Sequence, residues 1–394
     1  MPKFNVEPYF EDVVKWRRDF HMHPELGFQE YRTSEIVANL LKSFGIKVIT
    51  GFAKTAVLGI LETNKPGNVV AIRADMDALP MQDGKNVPYR SMNDGICHAC
   101  GHDSHTANLL GVAKYISEHK EEFCGTIKFL FQPAEEGPAP GGAKLVVESG
   151  ILDDIDFIFA AHNTPEIEYG KLMVRYGAAN ASGDEFHIKI KGIGCHGARP
   201  NTGKDSIITA TQIITALQTL ITREIDPLRQ IVISVCSIHA GKENATNVIP
   251  SELTMSGTVR TFDEKVREYA LKRIEDIVSK ICSLNGSDYE FYTISNMPSL
   301  TNNNQVVDIV KAACIETVGE ENVIERADPT MGAEDFAYYT KKFKACNFYF
   351  GSKNTQRNIV TRGHNPKFDI EEECFMYSMS AFIAVVKKLM VLNQ

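Results

Sequence analysis

Nine consecutive residues, Cys97-His98-Ala99-Cys100-Gly101-His102-Asp103-Ser104-His105, constrain this chain most, because thiol, imidazole and carboxylate groups crowd a glycine turn just before an apolar helical pattern. Cys100 and His102 stand two apart, so in an extended or turning backbone both can point the same way, one offering a thiolate and the other an imidazole nitrogen. Gly101 lets the chain bend between them. After Asp103 the apolar Leu109, Leu110, Val112, Ala113 and Ile116 recur at helical spacing, so the ligands would sit at a helix mouth whose dipole favours thiolate. We read the stretch as half of a metal site. Cys97 and Cys100 also make a Cys-x-x-Cys pair, the form used by redox motifs and zinc ribbons, but no second such pair follows to close a ribbon. The chain is also far longer than a thioredoxin-like unit. Packing in a core would explain one such polar residue better than five together.

With 394 residues, 43% hydrophobic and 23% charged, the chain has room for two domains that each bury a core. A net charge of −8 argues against nucleic acid as a partner. No apolar run approaches the roughly eighteen residues a membrane span needs, and Met1 to Glu7 lacks the basic start and apolar run of a signal peptide. The expected location is the cytoplasm. Nine cysteines, scattered singly apart from Cys97 and Cys100, suit a reducing compartment better than a disulfide framework.

Helical spacing predicts helices over Tyr9 to Phe20 and Thr33 to Phe44, with His21 and His23 near the carbonyl end of the first. Strands are expected at Lys47 to Thr50, Thr55 to Leu61 and Val69 to Asp75. The last of these delivers Asp75 and Asp77 at its carboxyl end, where they could orient metal-binding histidines from behind. A strand at Thr126 to Gln132 delivers Glu135 and Glu136 ahead of the glycine and proline run Pro138 to Gly142. Adjacent carboxylates point in different directions, so one can hold a metal while the other receives a proton from activated water. A strand at Phe157 to Ala161 ends in His162.

These motifs resemble the metal-dependent amidohydrolases that include hippurate hydrolase, the plant auxin-conjugate hydrolases and N-acetyl-diaminopimelate deacetylase, which belong with the aminoacylases and metallo-carboxypeptidases. The likeness runs from His21-Met22-His23-Pro24-Glu25-Leu26-Gly27 through Arg73 to Pro80, His98 to His105 and Gln132 to Gly137. It resumes at His196 to Pro200, Asn247 to Pro250, Met331 to Phe336 and Gly363 to Pro366. The resemblance implies two divalent ions per subunit, held by Cys100, His102, Glu136, His162 and His364, with Cys100 shared and Glu135 as general base. Such a donor set accepts manganese or zinc first, with cobalt and nickel as alternatives. The sequence departs from the pattern at Cys97 and Cys195, and a Cys97–Cys100 disulfide would remove a ligand.

From about Ser182 the pattern changes to strand, helix, strand, strand, helix, strand: Asp184 to Gly192, Asp205 to Arg223, Ile231 to Ala240, Glu252 to Phe262, Glu264 to Leu284 and Asp288 to Thr293. The expected fold is therefore α/β: a large catalytic domain (1–182 with 296–394) of zinc-exopeptidase-like type, a mixed sheet flanked by helices, with an inserted ferredoxin-like α+β lid or dimerisation domain at 183–295. By resemblance, His196 steadies the oxyanion of the tetrahedral intermediate, and Asn247 and Arg260 contact the substrate carboxylate. His187 and His239 match no motif and are read as structural. Further on, a helix is expected from Gln305 to Thr317, a strand from Ala345 to Gly351 and a closing helix from Glu371 to Leu392. Glu334 and Asp335 open a short helical stretch and read as its N-terminal caps. The expected activity is hydrolysis of small N-acyl amino acids by a homodimer joined through the inserted domain, or a higher oligomer. A dipeptidase or aminopeptidase using the same site is the alternative within enzymes, and a metal- or thiol-responsive binding protein is the alternative outside them.

Overall fold

A computed structural model describes residues 3–392, so Met1 and Pro2 of the opening stretch and Asn393 and Gln394 at the end lie outside the described residues. The side chain of Asn296, at an expected domain boundary, lies outside them too. In chain order the first elements are α1 (Glu7–Met22), α2 (Tyr31–Ser43), β1 (Lys47–Ile49), β2 (Val57–Glu62), β3 (Val69–Asp75), α3 (His102–Glu118), β4 (Thr126–Gln132), α4 (Gly142–Glu148), β5 (Phe157–Glu168), β6 (Leu172–Val174) and β7 (Gly177–Asn180). The middle of the chain forms β8 (Gly183–Lys191), β9 (Cys195–His196), α5 (Ser206–Thr219), β10 (Ile231–Ala240), β11 (Val248–Ile249), β12 (Glu252–Thr261), α6 (Glu264–Asn285) and β13 (Asp288–Met297). The last part forms β14 (Leu300–Asn302), α7 (Asn304–Val318), β15 (Val323–Glu325), α8 (Ala337–Lys342), β16 (Lys344–Lys353) and α9 (Cys374–Met390).

Two compact units emerge, one of Met1–Ala179, Thr301–Asp328 and Asp335–Gln394, the other of Asn180–Leu300 with Pro329–Glu334. The first is built on a mixed eight-stranded sheet ordered β1-β2-β4-β3-β5-β16-β6-β15. Its central strands β4, β3, β5 and β16 run parallel, and β3 and β4 are buried along nearly their whole length, as strands covered on both faces must be. Parallel strands end on one edge. Asp75 pairs in register with Gln132, and Arg73 with Ala160, which brings the ends of β3 and β4 level with His162.

Three differences from expectation have physical causes. His162 does not end its strand: β5 leaves β3 after Ala160 but continues to Glu168 along β16, so His162 lies where the ladder to β3 stops while the strand goes on. The short helix α4 follows the glycine and proline run, which hides it from periodicity. The carboxylate of Asp335, expected to serve the short helix that follows it, also reaches a distant one: it accepts the backbone N–H of Ala143 in the first turn of α4 at 3.0 Å.

The second unit has the order β8-α5-β10-β12-α6-β13 and an antiparallel sheet ordered β10-β12-β8-β13, which is ferredoxin-like connectivity. Local chemistry sets its helix ends. Asp205 caps α5 by accepting from Ile207 and Ile208, Asp263 caps α6, and Gly286 closes α6 in a left-handed turn. Phe186, Ile188, Ile190, Ile213, Leu217, Ile274 and Val278 form its separate apolar core.

Candidate metal centre

The sequence of the loop before α3 explains its geometry. Gly101 takes φ +91°, and an added Cβ would meet Asn163 Nδ2 at 2.2 Å, so only glycine fits between Cys100 and His102. His102 then opens α3 fully buried. Its Nδ1–H points at Asp77, with the backbone oxygen at 3.0 Å and carboxylate Oδ1 at 3.2 Å. That contact fixes the tautomer and leaves Nε2 buried with no hydrogen-bond partner among the described residues. An orphaned imidazole nitrogen in such a place is a group awaiting a ligand.

The other predicted ligands converge on it. Cys100 Sγ lies 3.4 Å from His162 Nε2, and His162 donates its other N–H to the backbone oxygen of Asn163 at 2.6 Å. His364 Nε2 lies 3.0 Å from Glu136 Oε1. Among the groups whose ligand atoms lie within 4.8 Å of one another are three made only of these residues and Glu135: Cys100, His102, His162; Cys100, Glu136, His364; and His102, Glu135, Glu136. Cys100 belongs to two of these sets. One thiol, three imidazoles and two carboxylates are a donor set for borderline divalent transition metals.

The charges balance accordingly. Burial raises the Cys100 thiol, but His162 and His102 outweigh it and bring the thiol down to about 6. His162 is lowered by burial yet carried up to about 9 by the Cys100 thiolate. Hydrogen bonding to Cys100 and Glu136 raises His364 to about 10. The neighbouring Cys97 is a different case, because burial pushes its thiol up to about 11 and it packs in the core at 2% exposure. Both thiols are free.

Behind these residues the two expected supporting carboxylates divide. Asp77 orients His102 and also accepts the Glu136 backbone N–H at 2.9 Å. Asp75, however, does not support a predicted ligand directly: it approaches His102 only at 3.8 Å, on the wrong nitrogen, and instead bonds His105 Nδ1 at 2.5 Å. His105 Nε2 accepts the Asn163 N–H at 2.9 Å, so Asp75 steadies the residue beside His162 through an intermediate ring. Asp75 is in turn paired with Arg73, which also reaches Asp335 at 2.6 Å.

Sequence reasoning missed the support under α3. His23 does bond a helix carbonyl, Asp19 O, at 2.9 Å, but His21 does not sit on the helix end in that way. It is buried with Nδ1 at 2.7 Å from Asp103, whose Oδ2 also takes Arg17 Nε at 2.9 Å. The wet, polar look of Arg17 in an amphipathic helix gave no sign of this.

A profile of the peptidase family M20/M25/M40 matches residues 71–388, which include every residue of the three ligand sets. The chain belongs to this family. It is 45% identical over 286 residues to an N-acyl-L-amino acid amidohydrolase of Geobacillus stearothermophilus, covering 73% of this chain and 76% of that one. It is 36% identical over 373 residues to thermostable carboxypeptidase 2 of Saccharolobus solfataricus, with 94% and 93% covered. Among solved structures, the Bacillus subtilis YXEP protein, described as a dinuclear metal-binding peptidase of the M20 family, superposes with a TM-score of 0.81 at 32% identity, covering 98% and 99% of the two chains. The chain is thus an M20-family hydrolase with the mixed α/β fold of that family.

In the second unit, the structure pairs β9 with β11, which sets His196 against Val248 and places the Gly197 N–H on Asn247 O at 2.7 Å. His196 and Asn247 are exposed neighbours there, and His196 Nδ1 accepts the Ala198 N–H at 3.0 Å. Arg260 stands apart on β12, half-buried, with Nη1 at 3.5 Å from Ser182 O. His187 stacks on Tyr292, and His239 bonds Ser237 on β10.

Proposed function

We propose that this M20-family hydrolase cleaves the amide of small N-acyl amino acids, giving a carboxylate and a free amino acid. The observation that carries the reading is Cys100 standing in two ligand sets at once, with Glu135 in the adjoining set beside His102. Two divalent cations would be held by Cys100, His102, Glu136, His162 and His364, manganese or zinc suiting the donors first. Bound there, they supply Lewis acidity toward the amide carbonyl and toward water. Glu135, nearly buried and not needed to complete either Cys100 set, is placed to take the proton from water as its oxygen bonds the carbonyl carbon, and to return that proton to nitrogen as the C–N bond breaks. By resemblance, His196 donates to the developing oxyanion, a contact that contributes about 3 kcal/mol. Asn247 and Arg260 take the substrate carboxylate, which a guanidinium can grip through two parallel hydrogen bonds.

The G. stearothermophilus relative supports the acyl amino acid reading, and the carboxypeptidase relative supports peptides as the second one. Amine release from N-acetyl, N-benzoyl and N-indoleacetyl amino acids, measured beside dipeptides, separates them. The expected result is kcat/KM at least about tenfold higher on the best acyl amino acid than on any dipeptide. A reversed order makes the chain a dipeptidase.

We further propose a homodimer through the second unit. Strand β10 is an open edge of its sheet, with Ile238 47% exposed, and the outward residues of the adjacent α5 include Ile207, Ile208, Thr211, Gln212 and Thr215, none charged. Sedimentation as a monomer at micromolar concentration would sink this part. No helix among the described residues is long and apolar enough to cross a membrane, and the nine free cysteines suit the reducing cytoplasm.

A further inference from the structure

The loop that carries Glu135 begins in an uncommon conformation. Ala134 has φ +50°, the left-handed region that residues with a Cβ seldom adopt. Something must hold it there. Its backbone oxygen accepts the Gly142 N–H at 3.0 Å, and its own N–H is donated to the carboxylate of Glu30, with Oε1 at 2.8 Å. Glu30 is fully buried, and its other oxygen accepts the Thr55 hydroxyl at 2.6 Å.

Glu30 is the residue just before α2, where an acidic side chain ordinarily serves its own helix. Here that duty has passed to Glu25, whose carboxylate accepts the N–H groups of Arg32 at 3.0 Å and Thr33 at 2.8 Å. Glu30 makes no cap bond to α2 and turns instead to Ala134. The same segment fits the loop at a second point. A Cβ on Gly27 would lie 1.8 Å from Gly137 O and 3.0 Å from the Ala134 Cβ, so the segment Gly27 to Glu30 is moulded against the turn on either side of Glu135 and Glu136.

We infer that Glu30 is a positioning residue for Glu135: by holding the Ala134 N–H it fixes the left-handed turn from which the general base projects. The inference rests on the reading of Glu135 as the base. The Glu136 N–H is anchored separately on Asp77, and Glu135 Oε1 lies 3.4 Å from the Asp335 N–H, so release at Ala134 would loosen the turn under the base while leaving the Glu136 anchor in place. Burial raises Glu30 to about 7, with the Asp77 charge adding to it, so a neutral acceptor of the same shape suits the site.

The test compares Glu30→Ala, Glu30→Gln and Glu30→Asp with the wild type and Glu135→Gln, all loaded with manganese, reading metal content, kcat and KM for one N-acyl amino acid. Glu30→Ala is expected to lose kcat about ten- to a hundredfold with KM and metal content within about twofold of wild type. Glu30→Gln, whose amide oxygen can still accept the Ala134 N–H, is expected to keep kcat within about threefold. If Glu30→Ala gives no folded protein, Glu30→Asp, which withdraws the acceptor by one methylene, is expected to show the kcat loss at full metal content. Wild-type kcat in the alanine or aspartate variant at full metal content overturns the inference, and so does a Gln variant as slow as the Ala variant. Loss of turnover in Glu135→Gln beside such an outcome would leave the base assignment standing and remove only the role of Glu30, whereas an active Glu135→Gln would remove both.

Discussion

Replacing Glu135 by glutamine is expected to lower kcat by about a hundred- to ten-thousandfold while the protein keeps its metal. The two adjacent glutamates make opposite predictions because their surroundings differ. Glu136 lies in the set with Cys100 and His364, and its carboxylate is held below its usual range by His364 and His102 against the effect of burial. Glu135 lies with His102 and Glu136 but in neither set containing Cys100, and its Oε1 faces the Asp335 N–H. A glutamine at 135 keeps that hydrogen bond and loses the ability to accept a proton. Glutamine at 136 removes a charged donor and should reduce the metal bound. Metal analysis beside steady-state kinetics distinguishes the two, and metal loss in Glu135→Gln with normal content in Glu136→Gln would reverse the roles assigned here.

The second large effect concerns stability. Arg17 is 1% exposed and makes three ion pairs, with Asp103 at 2.9 Å, Asp369 at 2.7 Å and Glu372 at 3.2 Å. Burial opposes the charge of Asp103, but Arg17 and then His21 hold that carboxyl well below its usual range. Arg17→Met is of similar length and apolar, yet it removes the guanidinium partner of the buried Asp103 charge and leaves it the His21 hydrogen bond. Breaking such a pair costs about 3–5 kcal/mol, which in a chain this long should lower the thermal midpoint by roughly 5 °C. Arg17→Lys should recover only part of this, since an ammonium cannot fork toward three carboxylates. Scanning calorimetry checks both. A midpoint within about 2 °C of wild type for Arg17→Met would mean that Asp103 finds other partners.

How far these features can be read from residue order depends on the range of the interaction. Cys100, Gly101 and His102 are neighbours, and their turn into α3 is a local matter of spacing and glycine, so it is legible. The same holds for β3 and β4, whose apolar runs announce strands buried on both faces, and for α5 and α6, which carry Asp205 and Asp263 at their N-caps. The role of Asp335 is not local. Its position before α8 suggests a cap, but its carboxylate joins Arg73, Gln132 and Ala143, residues 192 to 262 positions earlier in the chain. Glu30 is hidden for the same reason, because only the folded chain shows that Glu25 serves the helix Glu30 precedes. The sequence places Asp75 behind a metal-binding histidine, whereas the folded chain sets it on His105 and so behind Asn163, since the side chain that reaches it is decided by the packing of α3 on β3. Short strands such as β6 and β15 carry too few residues for any period to show.

Metal binding and amide cleavage are coupled in the mechanism proposed for this chain. The direct measurement is amine release from an N-acyl amino acid by metal-stripped protein, kept reduced, as manganese or zinc is added back in counted equivalents. The expected result is a silent stripped protein, activity that rises with metal and levels off at about two equivalents per chain, and no recovery in Cys100→Ala, as a thiol shared between the two proposed ligand sets would require. Full activity in the stripped protein, or a plateau at one equivalent with Cys100→Ala still active, would contradict it.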